Sequence, residues 1–287
     1  MYSDPLFFLF HRGANKAIMK KKLAIVLLAV LVTSIAWPAD TQFMQGLGDV
    51  RYHRVASEAV GRAYHIYVSL PEGYGDTDGH YPTVYLLDGG NTFPMLVPYY
   101  RYLNFGEEAP NMIMVGISYG SDNFEDGNFR STDYTAPSDE REYWGGAATF
   151  QAFLGGELLP LIEREYRSNA TRRIIFGQSI GGQFVLFTAL TQPKLFWGHI
   201  ASNPALHRNL SFFLEEHADY GGPTQSKLFV ASGTEDDPVF RQPAMEWIQH
   251  WQDRHAPWQL ETIDLEGHSH MSAPPAAFRQ GLRWLFE

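Results

Sequence analysis

The chain has 287 residues, is 45% hydrophobic and 15% aromatic, carries a formal net charge of −10 and contains no cysteine. That length suits a single domain of ordinary size with a substantial core. The acidic balance argues against a nucleic-acid binder, whose phosphates call for Lys and Arg. The lack of cysteine excludes disulfides, thiol catalysis and cysteine-ligated metals.

Residues 1–18 hold the apolar run Leu6-Phe7-Phe8-Leu9-Phe10 and no feature of a domain. Met19-Lys20-Lys21-Lys22 is then a basic start, residues 23–35 are an apolar stretch too short for an easy membrane span, and Ser34-Ile35-Ala36 offers small residues for cleavage after Ala36. Residues 1–36 therefore read as an extension plus a secretory signal peptide starting at Met19, with a retained membrane anchor as the alternative. Residues 37–287 read as one domain, secreted or periplasmic, with no stable membrane span after cleavage.

Residues 51–60 and 63–70 alternate as strands, and 71–76 read as a loop. Residues 82–87 form a largely apolar strand of the kind covered on both faces of a parallel sheet. Asp88-Gly89-Gly90-Asn91 has turn composition, and residues 92–102 read as a helix interrupted by its prolines. Residues 111–118 are the next strand. Residues 119–143 are polar, aromatic and too long for a mere connector, which predicts a wall of the active site. In that stretch Arg130 and Asp133 are spaced to pair, and Asp122 to Asn128 resemble a calcium loop in composition only, without the closing glutamate. Residues 147–166 read as an amphipathic helix. The alternation of strands and helices predicts an α/β fold with a mostly parallel sheet between helices.

Arg173-Ile174-Ile175-Phe176-Gly177-Gln178-Ser179-Ile180-Gly181-Gly182 carries the most information. A buried strand runs into Gly-x-Ser-x-Gly and then into an apolar helix over 183–190, the pattern of a nucleophile elbow. The turn is tight enough that a Cβ at Gly177 or Gly181 is expected to crowd the backbone. Ser179 becomes the candidate nucleophile, and the N–H of the next residue, Ile180, a candidate oxyanion donor.

A serine hydroxyl needs a base to take its proton, and the base needs a carboxylate to set its tautomer. Chain order supplies both. The strand at 227–233 ends in Thr234-Glu235-Asp236-Asp237, three carboxylates of which any could serve. The strand at 259–265 runs into Glu266-Gly267-His268-Ser269-His270-Met271-Ser272, with two candidate bases. His268-x-His270 lacks a third ligand at a recognised metal spacing, so neither a metal nor a cofactor is expected.

The whole pattern resembles the putative-esterase family of α/β-hydrolases, which includes siderophore trilactone esterases, S-formylglutathione hydrolases, feruloyl esterases and mycolyltransferases. The resemblance runs from about residue 50 to the C-terminus. It rests on the elbow together with Tyr81-Pro82-Thr83-Val84-Tyr85-Leu86-Leu87-Asp88-Gly89-Gly90, Met114-Val115-Gly116-Ile117 and Arg130-Ser131-Thr132-Asp133-Tyr134-Thr135. Gly156-Glu157-Leu158-Leu159-Pro160-Leu161-Ile162, His270-Met271-Ser272 and Gly281-Leu282-Arg283-Trp284-Leu285-Phe286 complete it. It implies the α/β-hydrolase fold, with Ser179 as nucleophile, His270 rather than His268 as base and Asp236 as acid, Glu235 and Asp237 remaining open. It also implies that the Gly90 N–H is the second oxyanion donor, with Gly89 and Asn91 as neighbouring choices. The implied activity is that of a serine-dependent carboxylic ester hydrolase working through an acyl-enzyme on a small-molecule or glycan-linked ester. An acyltransferase using the same residues, or a non-catalytic binding protein on the same scaffold, are the alternatives. The sequence departs from the family at Ser202-Asn203-Pro204-Ala205-Leu206, where many relatives carry Ser-Pro-Ser-Leu, and it shows no basic cluster suited to an anionic siderophore.

Overall fold

A computed structural model describes residues 44–138, 140–215, 225–254 and 256–287; the expected signal peptide and extension, residues 1–36, lie outside these residues. Strands β1 (Asp49–Ala56) and β2 (Ala63–Leu70) form an antiparallel hairpin. Tyr64, Ile66 and Val68 of β2 point inward at every second position, as the two-residue period of a strand requires. The remaining strands are β3 (Tyr81–Leu86), β4 (Ile113–Ser118), β5 (Ser168–Gln178), β6 (Gly198–Ser202), β7 (Ser226–Gly233) and β8 (Trp258–Leu265). The sheet order is β1-β2-β4-β3-β5-β6-β7-β8, with β1 and β2 antiparallel and β3 to β8 parallel. This is the α/β-hydrolase architecture. Every residue of β4 and β6 is buried, because helices cover both faces.

The helices are α1 (Gly89–Phe105), the short α2 (Arg130–Asp133), α3 (Ala147–Phe153), α4 (Leu159–Glu165), α5 (Ile180–Thr191), α6 (Leu210–Phe213), α7 (Pro238–Gln252) and α8 (Ala273–Phe286). One core joins Tyr64, Phe150, Phe153, Phe184, Trp247 and Trp251 on the face covered by α3, α5 and α7. The opposite core joins Phe93, Leu96, Tyr100, Phe278 and Leu282 of α1 and α8. Among the described residues no helix is long and apolar enough to cross a membrane.

Three elements differ from the sequence expectation. The helix expected to break at its prolines is continuous and starts earlier, at Gly89, with Pro94 and Pro98 inside it. Four residues apart, both prolines lie away from the core, and burial of Phe93, Leu96, Val97 and Tyr100 on the other side outweighs the lost N–H bonds. Residues 147–166 are not one regular helix: a π turn over Leu154–Leu158 separates α3 from α4. Pro160 has no N–H for the carbonyl of Gly156, and a wider turn just before it absorbs the misfit. The helix α7 was not read from the sequence. Its signals are an aspartate cap, Asp237, which accepts from Val239 N–H at 2.9 Å, proline at its first position, and a stripe of Ala244, Trp247, Ile248 and Trp251.

His199 lies in the middle of the sheet with no exposure, its Nδ1 3.3 Å from Ser226 Oγ. Burial pushes its pKa down from 6.5 to about 4. The folded protein thus holds a neutral imidazole, while the unfolded chain takes up a proton as pH falls through 6.5. The stability tied to His199 is intact above that pH and is lost between 6.5 and 4, amounting to roughly 2–3 kcal/mol at pH 4.5. Urea unfolding at pH 7 and pH 4.5 is expected to show a smaller acid-induced loss in His199→Leu than in the wild type. Equal losses would count against this origin of acid sensitivity.

Candidate active site

The loops at the carboxyl ends of parallel strands are where an open α/β sheet places its chemistry. At the end of β5 the chain turns within one residue into α5. Ser179 occupies that turn with φ 59° and ψ −119°, a conformation that a side chain adopts only when its surroundings impose it. Three backbone bonds do so: Ser179 N–H donates to Ser202 O at 3.0 Å, and Ala205 N–H and Gln183 N–H donate to Ser179 O at 3.0 and 2.9 Å.

The glycines around the serine divide differently from the sequence expectation. A Cβ at Gly177 would collide with the Gly181 carbonyl, and one at Gly182 would stand 3.0 Å from Ser202 O. A Cβ at Gly181 would meet only side chains at ordinary contact distance, the nearest atom being Asp88 Oδ2 at 3.4 Å. The tight approach therefore constrains Gly177 and Gly182; the expectation for Gly181 is corrected, because the turn folds its backbone toward position 177 and leaves its own outer side open.

The loops after β7 and β8 pack against each other closely. A Cβ at Gly233 would collide with the His268 carbonyl, and Glu235 N–H donates to that carbonyl at 3.0 Å. This brings Asp236 to His270: Nδ1 of the ring lies 2.9 and 3.1 Å from the two carboxylate oxygens, and the Asp236 side chain is 1% exposed. With the proton on Nδ1 donated to Asp236, Nε2 is left as the acceptor. Of the other carboxylates, Asp237 caps α7 and Glu235 is exposed. His268 turns instead to the Ser272 carbonyl, 3.0 Å from its Nδ1.

Several residues that support this arrangement were not found by sequence reasoning. Phe240 of α7 stacks on the His270 ring at 4.4 Å between centroids, fixing the plane of the imidazole. Gln178 donates from Nε2 to the His270 carbonyl at 2.6 Å. Asn203, in the loop that departs from the family pattern, has φ 40°; its N–H donates to Ala231 O at 2.8 Å and its Oδ1 accepts from Gly233 N–H at 2.9 Å. It thereby ties the ends of β6 and β7 together beneath the acid. Only the tendency of asparagine to adopt left-handed conformations hinted at this; Phe240 lies on the helix that was not read.

Gly90 and Ile180 both stand in the first turn of a helix, α1 and α5, where N–H groups have no partner within the helix. Asn91 N–H is already bonded to Asp88 O at 2.9 Å. Gly89 is pressed against β4, where a Cβ would collide with the Ile117 backbone. Gly90, Ser179 and His270 line one cleft of about 620 Å³. Tyr119, Ser121, Asn128 and Arg130, from the first half of the segment 119–143, wall it. A larger groove of about 920 Å³ runs along α7 and includes Asp236, but neither Ser179 nor His270 borders it.

The expected pairing of Arg130 with Asp133 is corrected. Arg130 donates from Nε and Nη2 to the two oxygens of Asp88 at 2.7 and 2.9 Å. Asp133 faces the opposite way from the short helix α2, into the core. It accepts from Tyr64 OH at 2.7 Å and Tyr119 OH at 3.0 Å, and lies 3.2 Å from Arg62. Burial raises the Asp133 pKa, against the lowering influence of these partners. A carboxylate so enclosed needs all three neighbours, so the cleft wall is anchored from behind.

A protein-family model described as "Putative esterase" matches residues 57–280. The chain is 35% identical over 177 residues to ferri-bacillibactin esterase BesA of Bacillus subtilis, a match covering 56% of this chain and 60% of that protein. It is 28% identical over 181 residues to apo-salmochelin esterase of Escherichia coli, covering 58% of this chain and 56% of that protein. The chain thus spans less than two thirds of the length of either relative. In three dimensions it is similar to the BES protein from Bacillus cereus, with a TM-score of 0.75, 22% identity, and coverage of 88% of this chain and 98% of the other. At that identity the likeness speaks for the fold alone.

Proposed function

The chain belongs to the putative-esterase family, and on that premise we propose that it is a serine-dependent carboxylic ester hydrolase. The observation that carries the proposal is the contact of His270 Nδ1 with Asp236 at 2.9 Å, beside the cleft that Ser179 and His270 share. In the proposed reaction Ser179 Oγ attacks the ester carbonyl carbon while His270 Nε2 takes the hydroxyl proton. The carbonyl oxygen becomes an oxyanion held by the N–H groups of Gly90 and Ile180. Its collapse breaks the bond to the alcohol, which leaves with the proton from His270. Water, deprotonated by His270, then attacks the acyl-enzyme, and the acid departs as Ser179 recovers its proton. Asp236 holds the tautomer and stabilises the imidazolium between the two transfers. None of these steps calls for a metal or cofactor.

The two relatives matched by sequence are a ferri-bacillibactin esterase and an apo-salmochelin esterase, and we propose siderophore esters as the first class of small-molecule ester to try. The cation in the cleft wall, Arg130, is already paired with Asp88. The cleft therefore suits recognition of the ester and its apolar or aromatic surroundings more than capture of a free anion. Transfer of the acyl group to another alcohol uses the same steps with a different acceptor. Export from the cytoplasm is proposed from residues 19–36 alone, and N-terminal sequencing of the mature protein would test it.

The serine reading is tested by a fluorophosphonate probe, which phosphonylates an activated serine. Tryptic peptides of the treated protein are expected to carry the added mass on Ser179 and to lose it when His270 is replaced by alanine. Labelling elsewhere, or none, would overturn the reading. Product analysis with competing alcohols separates hydrolysis from transfer: free acid as the main product supports hydrolysis.

A further inference from the structure

Asp88 does not do what an aspartate at its position usually does. It precedes α1, and an aspartate there readily accepts a hydrogen bond from the second or third N–H of the helix, which here are Gly90 and Asn91. Yet its carboxylate makes no capping bond. Both of its oxygens are occupied by Arg130 instead, in a two-point contact at 2.7 and 2.9 Å, with the Asp88 side chain only 15% exposed.

The backbone of Asp88 is left-handed, with φ 53° and ψ 42°, and its Oδ2 lies 3.4 Å from where a Cβ on Gly181 would stand. It therefore sits beside the first turn of α5 as well as that of α1. Those are the two helix starts to which the oxyanion donors are assigned. The partial positive charge of each helix start attracts an anion, and the side chain of Asp88 is an anion beside them. If it turned onto Gly90 N–H, it would consume one donor and put a negative charge where the transition state develops its own.

We infer that Arg130 is a positioning residue whose two-point grip on Asp88 keeps that carboxylate off the Gly90 N–H, and so keeps the oxyanion site open for substrate. Arg130 is suited to this work. Burial opposes its charge, but the charge of Asp88 and the bonds to it more than compensate and raise its pKa. Its planar fork matches a carboxylate as a lysine cannot. The inference rests on the serine-hydrolase reading of the same cleft.

The test is a double-mutant comparison with p-nitrophenyl butyrate as probe. Arg130→Met is expected to lower kcat roughly 10- to 100-fold with little change in KM, approaching the effect of losing one oxyanion donor. Adding Asp88→Ala to Arg130→Met removes the competing carboxylate and is expected to restore at least a tenfold share of the lost kcat. Arg130→Lys keeps the charge with a poorer grip, should fall between wild type and Arg130→Met, and serves with its own Asp88→Ala partner if the methionine variant does not fold. A purely structural role for the ion pair would make kcat follow folding, so that its loss in the single variant and its recovery in the double variant appear only where the unfolding temperature falls and recovers with them. That outcome, or an Arg130→Met enzyme with wild-type kcat, overturns the inference while Ser179-dependent turnover by the wild type leaves the esterase reading standing. Failure of the wild type to turn over by way of Ser179 would instead remove both.

Discussion

Ser179→Ala is expected to lower kcat/KM for any ester the wild type cleaves by at least about ten-thousand-fold, with unfolding temperature changed little. The size of the effect follows from the proposed division of labour. Without Oγ no acyl-enzyme forms, and what remains is binding plus the oxyanion donors acting on water. The fold should tolerate the change because the turn is held by backbone bonds, Ser179 N–H to Ser202 O and Ala205 N–H to Ser179 O, which alanine keeps. Alanine also has the same Cβ as serine, so the positive φ of 59° brings no new strain. Steady-state kinetics with p-nitrophenyl butyrate and a siderophore trilactone, paired with thermal unfolding, would check it. A folded Ser179→Ala protein with activity within tenfold of wild type would remove Ser179 from the reaction.

The second large effect separates neighbouring carboxylates. Asp236→Asn is expected to lower kcat about ten-thousand-fold. An amide Nδ2 facing His270 Nδ1 would donate a hydrogen bond rather than accept one, so the imidazole proton would move to Nε2. The ring would then be unable to accept the proton of Ser179. Asp237→Ala should behave in the opposite way. It removes the cap on α7, where Asp237 Oδ1 accepts from Val239 N–H at 2.9 Å, and is expected to lower stability by about 1 kcal/mol with activity near wild type. Kinetics and urea unfolding of both variants would expose a wrong assignment at once: kinetic loss in Asp237→Ala with none in Asp236→Asn would move the acid by one residue.

Most of the order of strands and helices, α7 excepted, was legible because the buried strands at 82–87, 111–118 and 227–233 are short apolar runs and the β2 stretch alternates, patterns tied to local backbone geometry. The elbow was legible for a similar reason: Gly177 and Ser179 stand at fixed spacing between a strand and a helix. Local rules misled where tertiary packing won. Pro94 and Pro98 predicted a broken α1, yet burial of Phe93, Leu96 and Tyr100 carries the helix through them. Arg130 and Asp133 suggested a local pair, yet α2 turns them in different directions, to Asp88 and to the Tyr64–Tyr119 pocket.

From the order of its residues alone, this protein reads as a domain of alternating strands and helices with a serine on a tight turn, followed by acid and histidine candidates on later loops. Sequence separation carries no information about which of three adjacent carboxylates meets which of two histidines roughly 30 residues further along. That depends on how the loops after β7 and β8 cross, and only the close approach at Gly233 aligns Asp236 with His270. The same holds for Phe240 against the imidazole and Arg130 on Asp88. Each contact joins chain segments that approach only once the sheet has formed, and chain-local propensities do not encode them.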